Sequence, residues 1–200
     1  MSYWLMKPLS IGSDKKELPF DDVIFPGFAS RKLDGIRACI RYGNVLSNSQ
    51  KPIASLYVQE MFCNLEGMDG ELGYGDPTDP LFYNKTQSAV NSKHWPAELD
   101  KNELRFYAFD YRVEKTTARG RLSVLKAQVE SMNHPQVVYL EQTLVYTTED
   151  LEVLYQNYLA EGYEGLMFKR SGGLYKFGRS GKTAQPLLRM KPFGNELCDA

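Results

Sequence analysis

The stretch "ASRKLDGIRACI", residues 29–40, sets Lys32, Asp34 and Arg37 into a run otherwise made of Leu33, Ile36, Ala38, Cys39 and Ile40. A solvated strand needs no such spacing, and unpaired charge is costly to bury. Four more clusters put charge where a strand would otherwise be apolar: "DGEL" (69–72), "FYAFDY" (106–111), "EGLMFK" (164–169) and "RMK" (189–191). Taken singly, each reads as an edge-strand cation, a turn or an aromatic core strand. Taken together, they place the cations Lys32, Arg37, Lys169, Arg189 and Lys191 and the acids Glu71 and Glu164 on predicted strands. Strands that converge with this set would line a cleft for a polyphosphate, a divalent cation and a ribose. A lysine amine attacks phosphorus only as the free base, and nearby cations or desolvation favour that form. Acids could hold the cation that offsets phosphate charge, and the aromatic strand offers a face for a purine.

Around these clusters lies an ordinary globular composition. The 200 residues are 42% hydrophobic and 24% charged, enough for one domain with a real core. Lys and Arg number 24 against 25 Asp and Glu, so net charge gives no global case for a nucleic-acid partner. A local basic patch is still compatible with that balance. Cys39, Cys63 and Cys198 are far apart and odd in number, which argues against a disulfide framework or zinc site and fits a reducing cytoplasm. His94 and His134 lack ligand-like neighbours in sequence and read as surface or structural residues. The opening "MSYWLMKPLS" lacks the length and flanks of a signal peptide, and no run approaches a membrane helix. A cytoplasmic location (host cytoplasm for a viral protein), no membrane partner and a monomer are expected.

Strand-like and helix-like segments alternate without repeats or long linkers. "IRACIRYGNVLS" reads as a hairpin turning at Gly43-Asn44, "MDGELGYG" as a strand, and "LRFYAFDYRV" and "QVVYLEQTLVY" as one strand each. "EGLMFKR" and "QPLLRMKPF" read as two more. Helical spacing appears in "SLYVQEMFCNLEG", "ARGRLSVLKAQVESM" and "TTEDLEVLYQNYLAEG", the last with Thr148 as N-cap and Gly162 closing it. The mixture predicts an α+β fold in one domain, residues 1–200.

Lys32-Leu33-Asp34-Gly35-Ile36-Arg37 resembles the KxDGxR signature of the covalent nucleotidyltransferases, which include ATP-dependent DNA ligases, RNA ligases and mRNA capping enzymes. The other four clusters resemble that family's motifs III, IIIa, IV and V, in order. "LSNSQKPI", "FYNKTQSAVNS" and "YKFGRS" resemble compact phage-like DNA ligases. The resemblance implies a nucleotidyltransferase (ATP-grasp-like ligase adenylation) fold with two antiparallel sheets flanked by helices. It implies Lys32 as the nucleophile that takes AMP, with Arg37 and Glu71 holding the ribose and Phe109 stacked on the adenine. Glu164, with Glu71, would contact a metal, Mg²⁺ or Mn²⁺. Lys169 and Lys191 would offset the α-phosphate charge, Arg189 would contact the nucleotide, and the backbone of Arg31 would face the adenine edge. ATP and nicked duplex DNA are the implied substrates.

The chain departs from the family pattern in four places. Asn48 follows Ser47 where the family carries arginine, with Lys51 or Arg41 as conceivable substitutes. Arg189 stands where motif V usually begins with lysine, and a planar fork replaces a compact ammonium. Arg31 precedes Lys32 and should favour its free base if the two lie close. The nine residues after Lys191 cannot form the oligonucleotide-binding (OB-fold) barrel that follows in ligases, and "NELCDA" resembles the linker into it. An RNA ligase of the same superfamily, or a degenerate nucleotide- or DNA-binding module without turnover, are the alternative readings.

Overall fold

The computed structural model describes residues 5–12 and 17–192. In chain order they form β1 (Met6–Lys7), β2 (Leu9–Ser10), β3 (Gly27–Lys32), β4 (Ile36–Arg41), β5 (Asn44–Ser47), α1 (Leu56–Phe62), β6 (Met68–Tyr74) and α2 (Phe82–Asn91). There follow β7 (Leu104–Tyr111), α3 (Ala118–Met132), β8 (Val137–Tyr139), β9 (Thr143–Val145), α4 (Thr148–Ala160), β10 (Gly165–Arg170), β11 (Gly178–Arg179) and β12 (Leu188–Met190). The described residues build a first sheet of order β2-β12-β10-β3-β9, a second of order β5-β4-β6-β7-β8, and a ribbon of β1 with β11. Both sheets are mainly antiparallel, and each carries one parallel pair at an edge, β2 with β12 and β7 with β8. The α+β expectation holds.

Alternation along the strands gives each sheet an apolar back and a polar front. Behind the first sheet, Ala29, Leu166, Phe168 and Leu188 pack with Leu151 and Tyr158 of α4. Behind the second, Ala38, Ile40, Leu72, Phe106 and Ala108 pack with Val58 and Phe62 of α1, Ala89 and Val90 of α2, and Leu125 and Val129 of α3. Burying each such large apolar side chain contributes roughly 1.5–3 kcal/mol, so both backs are strongly specified. The two polar fronts are thereby left to line a cleft.

The opening stretch does not lie on one strand. Lys32 ends β3 in the first sheet, and Arg37 lies near the start of β4 in the second. Residues 33–35 make the crossing. Gly35 is needed there, because a Cβ would stand 2.3 Å from the Leu72 carbonyl oxygen and 2.8 Å from Glu71 Cγ.

Other expectations shift in detail. The β4–β5 hairpin turns at Tyr42-Gly43 rather than Gly43-Asn44, with φ of 51° and 67°. That is the left-handed pair a two-residue hairpin requires, here begun by a tyrosine that carries no turn signal. "QVVYLEQTLVY" is two strands in different sheets, β8 and β9, because residues 140–142 cross the cleft between them. The helix α2 lies in "FYNKTQSAVNS", where Phe82, Thr86, Ala89 and Val90 recur at helical spacing on the buried side. The N-cap of α4 is Thr147, whose side chain accepts from Asp150 N, one residue before the expected Thr148. "NELCDA" lies outside the described residues, as does Cys198.

Candidate active site

The front of the first sheet carries three rows across its strands. Lys32 on β3 pairs with Gly165 on β10, and Lys191 follows on from β12. A Cβ on Gly165 would meet the Met190 carbonyl oxygen at 2.2 Å and Lys191 Cα at 3.3 Å, so only glycine lets these strands close in. Next come Ser30, Met167 and Arg189 in register, then Phe28 with Lys169. Lys32 Nζ is hydrogen-bonded and ion-paired to Glu164 Oε2, and Glu164 N donates to Lys32 O at 3.2 Å. Arg189 Nε donates to Ser10 Oγ at 3.0 Å. Ser30 is buried, and its hydroxyl has no protein partner among the described residues.

The front of the second sheet carries Arg37, Glu71 and Tyr107 in one row, and Cys39, Asp69 and Asp110 in the next. Between these rows β7 slips register: Asp69 faces Asp110 while Gly70 faces Ala108, leaving Phe109 as an extra residue. This β-bulge changes the phase of β7, so Asp110 joins Asp69 on the front although Ala108 and Phe106 face the core. Arg37 grips Asp69 with both prongs, Nε to Oδ1 at 3.1 Å and Nη2 to Oδ2 at 2.7 Å, and gives Nη1 to Met6 O at 2.7 Å.

The two fronts meet over Phe109. The Arg37 guanidinium lies 5.5 Å from its ring centroid and Lys169 Nζ, from the opposite sheet, 5.2 Å. Lys169 is buried and also donates to Gln142 Oε1 at 3.5 Å, on the segment crossing between the sheets. Burial, helped by Arg121 and Arg37 and opposed by Asp110 and Asp69, pulls the Lys169 ammonium down to about 8. Burial pushes the Glu71 carboxyl up to about 8, with Asp69 and Glu164 adding to it and Lys32 and Arg37 opposing. Burial works against the Arg37 charge, yet Asp69 outweighs it and the guanidinium is held more firmly protonated than usual.

Lys32, Lys169 and Arg189 thus lie on the front of the first sheet and Arg37 and Glu71 on that of the second, with Glu164 beside Lys32, Phe109 at the β7 bulge and Lys191 just past β12. Arg31 differs. Strand pleating sends its side chain to the other face of β3, where it pairs with Glu161 at 2.9 Å and lies over Tyr158 and Tyr163 at 4.9 and 5.2 Å. Its charge is therefore engaged away from Lys32 rather than tuning it. Sequence reasoning also passed over a buried layer under the site: Asp110 with Arg121 of α3, and Tyr175 with Asp69. Arg121 had left a signal, since it shares a helix face with Ala118, Leu122, Leu125 and Val129, where a charge needs a partner. Tyr175 opens the "YKFGRS" segment, but Asp69 is 106 residues away and no spacing links the two.

A cleft that brings a lysine, further cations, carboxylates and a half-buried aromatic ring together from two sheets has the groups that phosphate and base recognition need, and comparison with known proteins narrows the reading. Residues 22–191 match the family described as ATP dependent DNA ligase domain, and the chain belongs to that enzyme family. The fold is similar to the Chlorella virus DNA ligase-adenylate, at 28% identity and a TM-score of 0.75 over 94% of this chain and 69% of that one. A Lig E DNA ligase, described as binding DNA with a minimal scaffold, aligns at 24% identity and 0.73 over 96% and 70%. The bacteriophage T7 ATP-dependent DNA ligase in complex with ATP aligns at 19% and 0.66 over 95% and 69%, a likeness of fold. No curated protein sequence matches the chain. The chain is thus an ATP-dependent DNA ligase adenylation domain acting on ATP and DNA. No helix among the described residues is long and apolar enough to cross a membrane.

Proposed function

We propose that Lys32 is the nucleophile that takes AMP from ATP. The observation that carries this is its place at the end of β3, in contact with Glu164 and facing the Arg37–Glu71 row of the opposite sheet. The Lys32 amine, as free base, attacks the α-phosphorus; a P–N bond forms, the bond to the β-phosphate bridging oxygen breaks, and pyrophosphate leaves with the electron pair. Glu164, already in contact with Lys32 Nζ, receives the proton that the ammonium must shed. Lys169, Arg189 and Lys191 offset phosphate charge from the first sheet. Arg37 and Glu71 hold the ribose and Phe109 stacks on the base, with the Arg31 backbone facing the adenine edge. AMP then passes to the 5′-phosphate of nicked DNA, and a 3′-hydroxyl displaces it.

A divalent ion, Mg²⁺ or Mn²⁺, fits this site in a restricted way. The described residues hold no cluster of three or more His, Cys, Asp or Glu suited to a metal. Mg²⁺ commonly needs only one or two carboxylates, with substrate phosphates and water completing its shell. Glu164 and Glu71, close enough to influence each other's charge, suit that arrangement. The ion would neutralise charge on the departing phosphates.

Intact-protein mass spectrometry after incubation with ATP and Mg²⁺ should show one AMP adduct, absent with GTP and absent in Lys32→Ala. A Lys32→Ala variant that labels normally overturns the assignment. Transfer from the labelled protein to nicked DNA rather than nicked RNA tests the substrate.

A further inference from the structure

The two sheets carry different parts of the chemistry, so their mutual placement must be held by something other than the substrate. The segment from Ser171 to Phe177 leaves β10 of the first sheet and passes under the second. It is tied down along its length: Arg119 N donates to Ser171 O at 3.1 Å, Ala118 N to Gly173 O at 2.8 Å, and Arg121 Nη1 to the same oxygen at 3.0 Å. Tyr175 ends this path, 6% exposed, with its ring 5.5 Å from the Arg121 guanidinium and 5.6 Å from the Phe177 ring. Its hydroxyl donates to Asp69 Oδ2 at 2.7 Å and accepts from Met6 N at 3.4 Å. Asp69 is the carboxylate that holds Arg37, and Arg37 returns to the Met6 carbonyl oxygen at 2.7 Å.

We propose that Tyr175 is a positioning residue for lysine adenylation: through Asp69 it holds Arg37, Glu71 and Phe109 in place against Lys32 and Lys169. Three observations converge on the hydroxyl. It links a first-sheet segment to a front residue of the second sheet by a hydrogen bond. It closes a ring, Tyr175–Asp69–Arg37–Met6, that also fixes β1. Burial and the neighbouring Asp69 keep the phenol protonated, so it serves Asp69 as a lasting donor. Arg37 in turn lies over Phe109, so a shift of Asp69 is passed to both the proposed ribose and base contacts. The attacking amine stands on the first sheet while the proposed ribose and base contacts stand on the second, and a displacement of about 1 Å between reacting groups can cost on the order of 10²-fold in rate.

The proposal rests on Lys32 as nucleophile, and its test separates the two. Single-turnover transfer of labelled AMP from ATP to the protein yields a rate constant and an end-point fraction labelled. Tyr175→Phe removes the Tyr175–Asp69 contact alone, and Asp69→Asn weakens it together with the Arg37 ion pair. Positioning predicts a rate constant about ten-fold lower in Tyr175→Phe with an unchanged end point. The double variant should be no slower than Asp69→Asn alone, because Asp69→Asn already loosens Arg37, the group through which the Tyr175 hydroxyl acts. A packing role alone would lower the end point through unfolded protein and leave the rate constant of the labelled fraction intact. That result, or rate factors that multiply in the double variant, overturns the proposal. If Tyr175→Phe does not fold, Tyr175→His is judged by the same rate constant and end point. Wild type that fails to label at Lys32 instead overturns the nucleophile assignment.

Discussion

Lys32–Glu164 and Arg121–Asp110 are both cation–carboxylate pairs at the same cleft, yet they live in different solvents. The side chains of the first are 18% and 22% exposed, those of the second 0% and 1%. Arg121 binds both oxygens of Asp110, at 2.8 and 3.2 Å, and adds Thr116 O and Gly173 O at 2.7 and 3.0 Å. A pair that water and substrate can reach is able to break and re-form during a reaction. A sealed pair with every guanidinium nitrogen engaged is architecture, because removing either partner leaves a naked buried charge. Arg37–Asp69, at 16% and 1%, lies between the two, its carboxylate sealed and its cation at the cleft. The same pairing chemistry is functional or structural according to access.

That contrast can be broken. Asp110→Asn should cost about 3–5 kcal/mol, since Arg121 would keep its charge without its counter-charge. In a chain of this size that lowers the thermal midpoint by roughly 6–20 °C. A fall of only a degree or two would show that the sealed pair is not structural. Glu164→Gln should do the reverse. AMP labelling should slow by at least about 10²-fold, while chemical unfolding changes by about 1 kcal/mol or less, as partly exposed pairs do. Equal effects on labelling and stability would erase the distinction.

Glu71 offers a subtler test. It faces Lys32 and Arg37, but Glu164 and Asp69 already hold those cations, so burial raises its carboxyl from the usual 4.5 to about 8. A raised folded-state value means that the folded protein binds the proton more tightly than the unfolded chain does. The stabilisation is complete below about pH 4.5 and is lost as pH rises through about 8. Denaturant unfolding of wild type should therefore show stability declining across that window, and the Glu71→Gln difference curve should isolate the decline. A flat difference curve would mean that solvent reaches Glu71 freely.

Much of this was legible from residue type and spacing. The clusters at 32–37, 69–72, 106–111, 164–169 and 189–191 announced themselves because charge in an apolar strand is costly, and each did fall on or beside a strand. The helices α1, α3 and α4 followed from apolar periodicity, whereas α2 was hidden because its buried face, Phe82, Thr86, Ala89 and Val90, includes a polar threonine and a small alanine. "QVVYLEQTLVY" looked like one strand because strand propensity does not register a change of sheet.

The sequence by itself determined the chemistry available: a lysine, an arginine five residues on, and later acids, cations and an aromatic ring, all of which depend on side-chain type. Only the tertiary structure decided that Lys32 and Arg37 belong to opposite sheets. It also decided that a bulge at Phe109 turns Asp110 to the front, and that strand pleating sends Arg31 away. The reason is one of range. Local spacing fixes which face a side chain takes within a regular element, whereas a bulge, a crossing or the 106-residue separation of Tyr175 from Asp69 leaves no period to read.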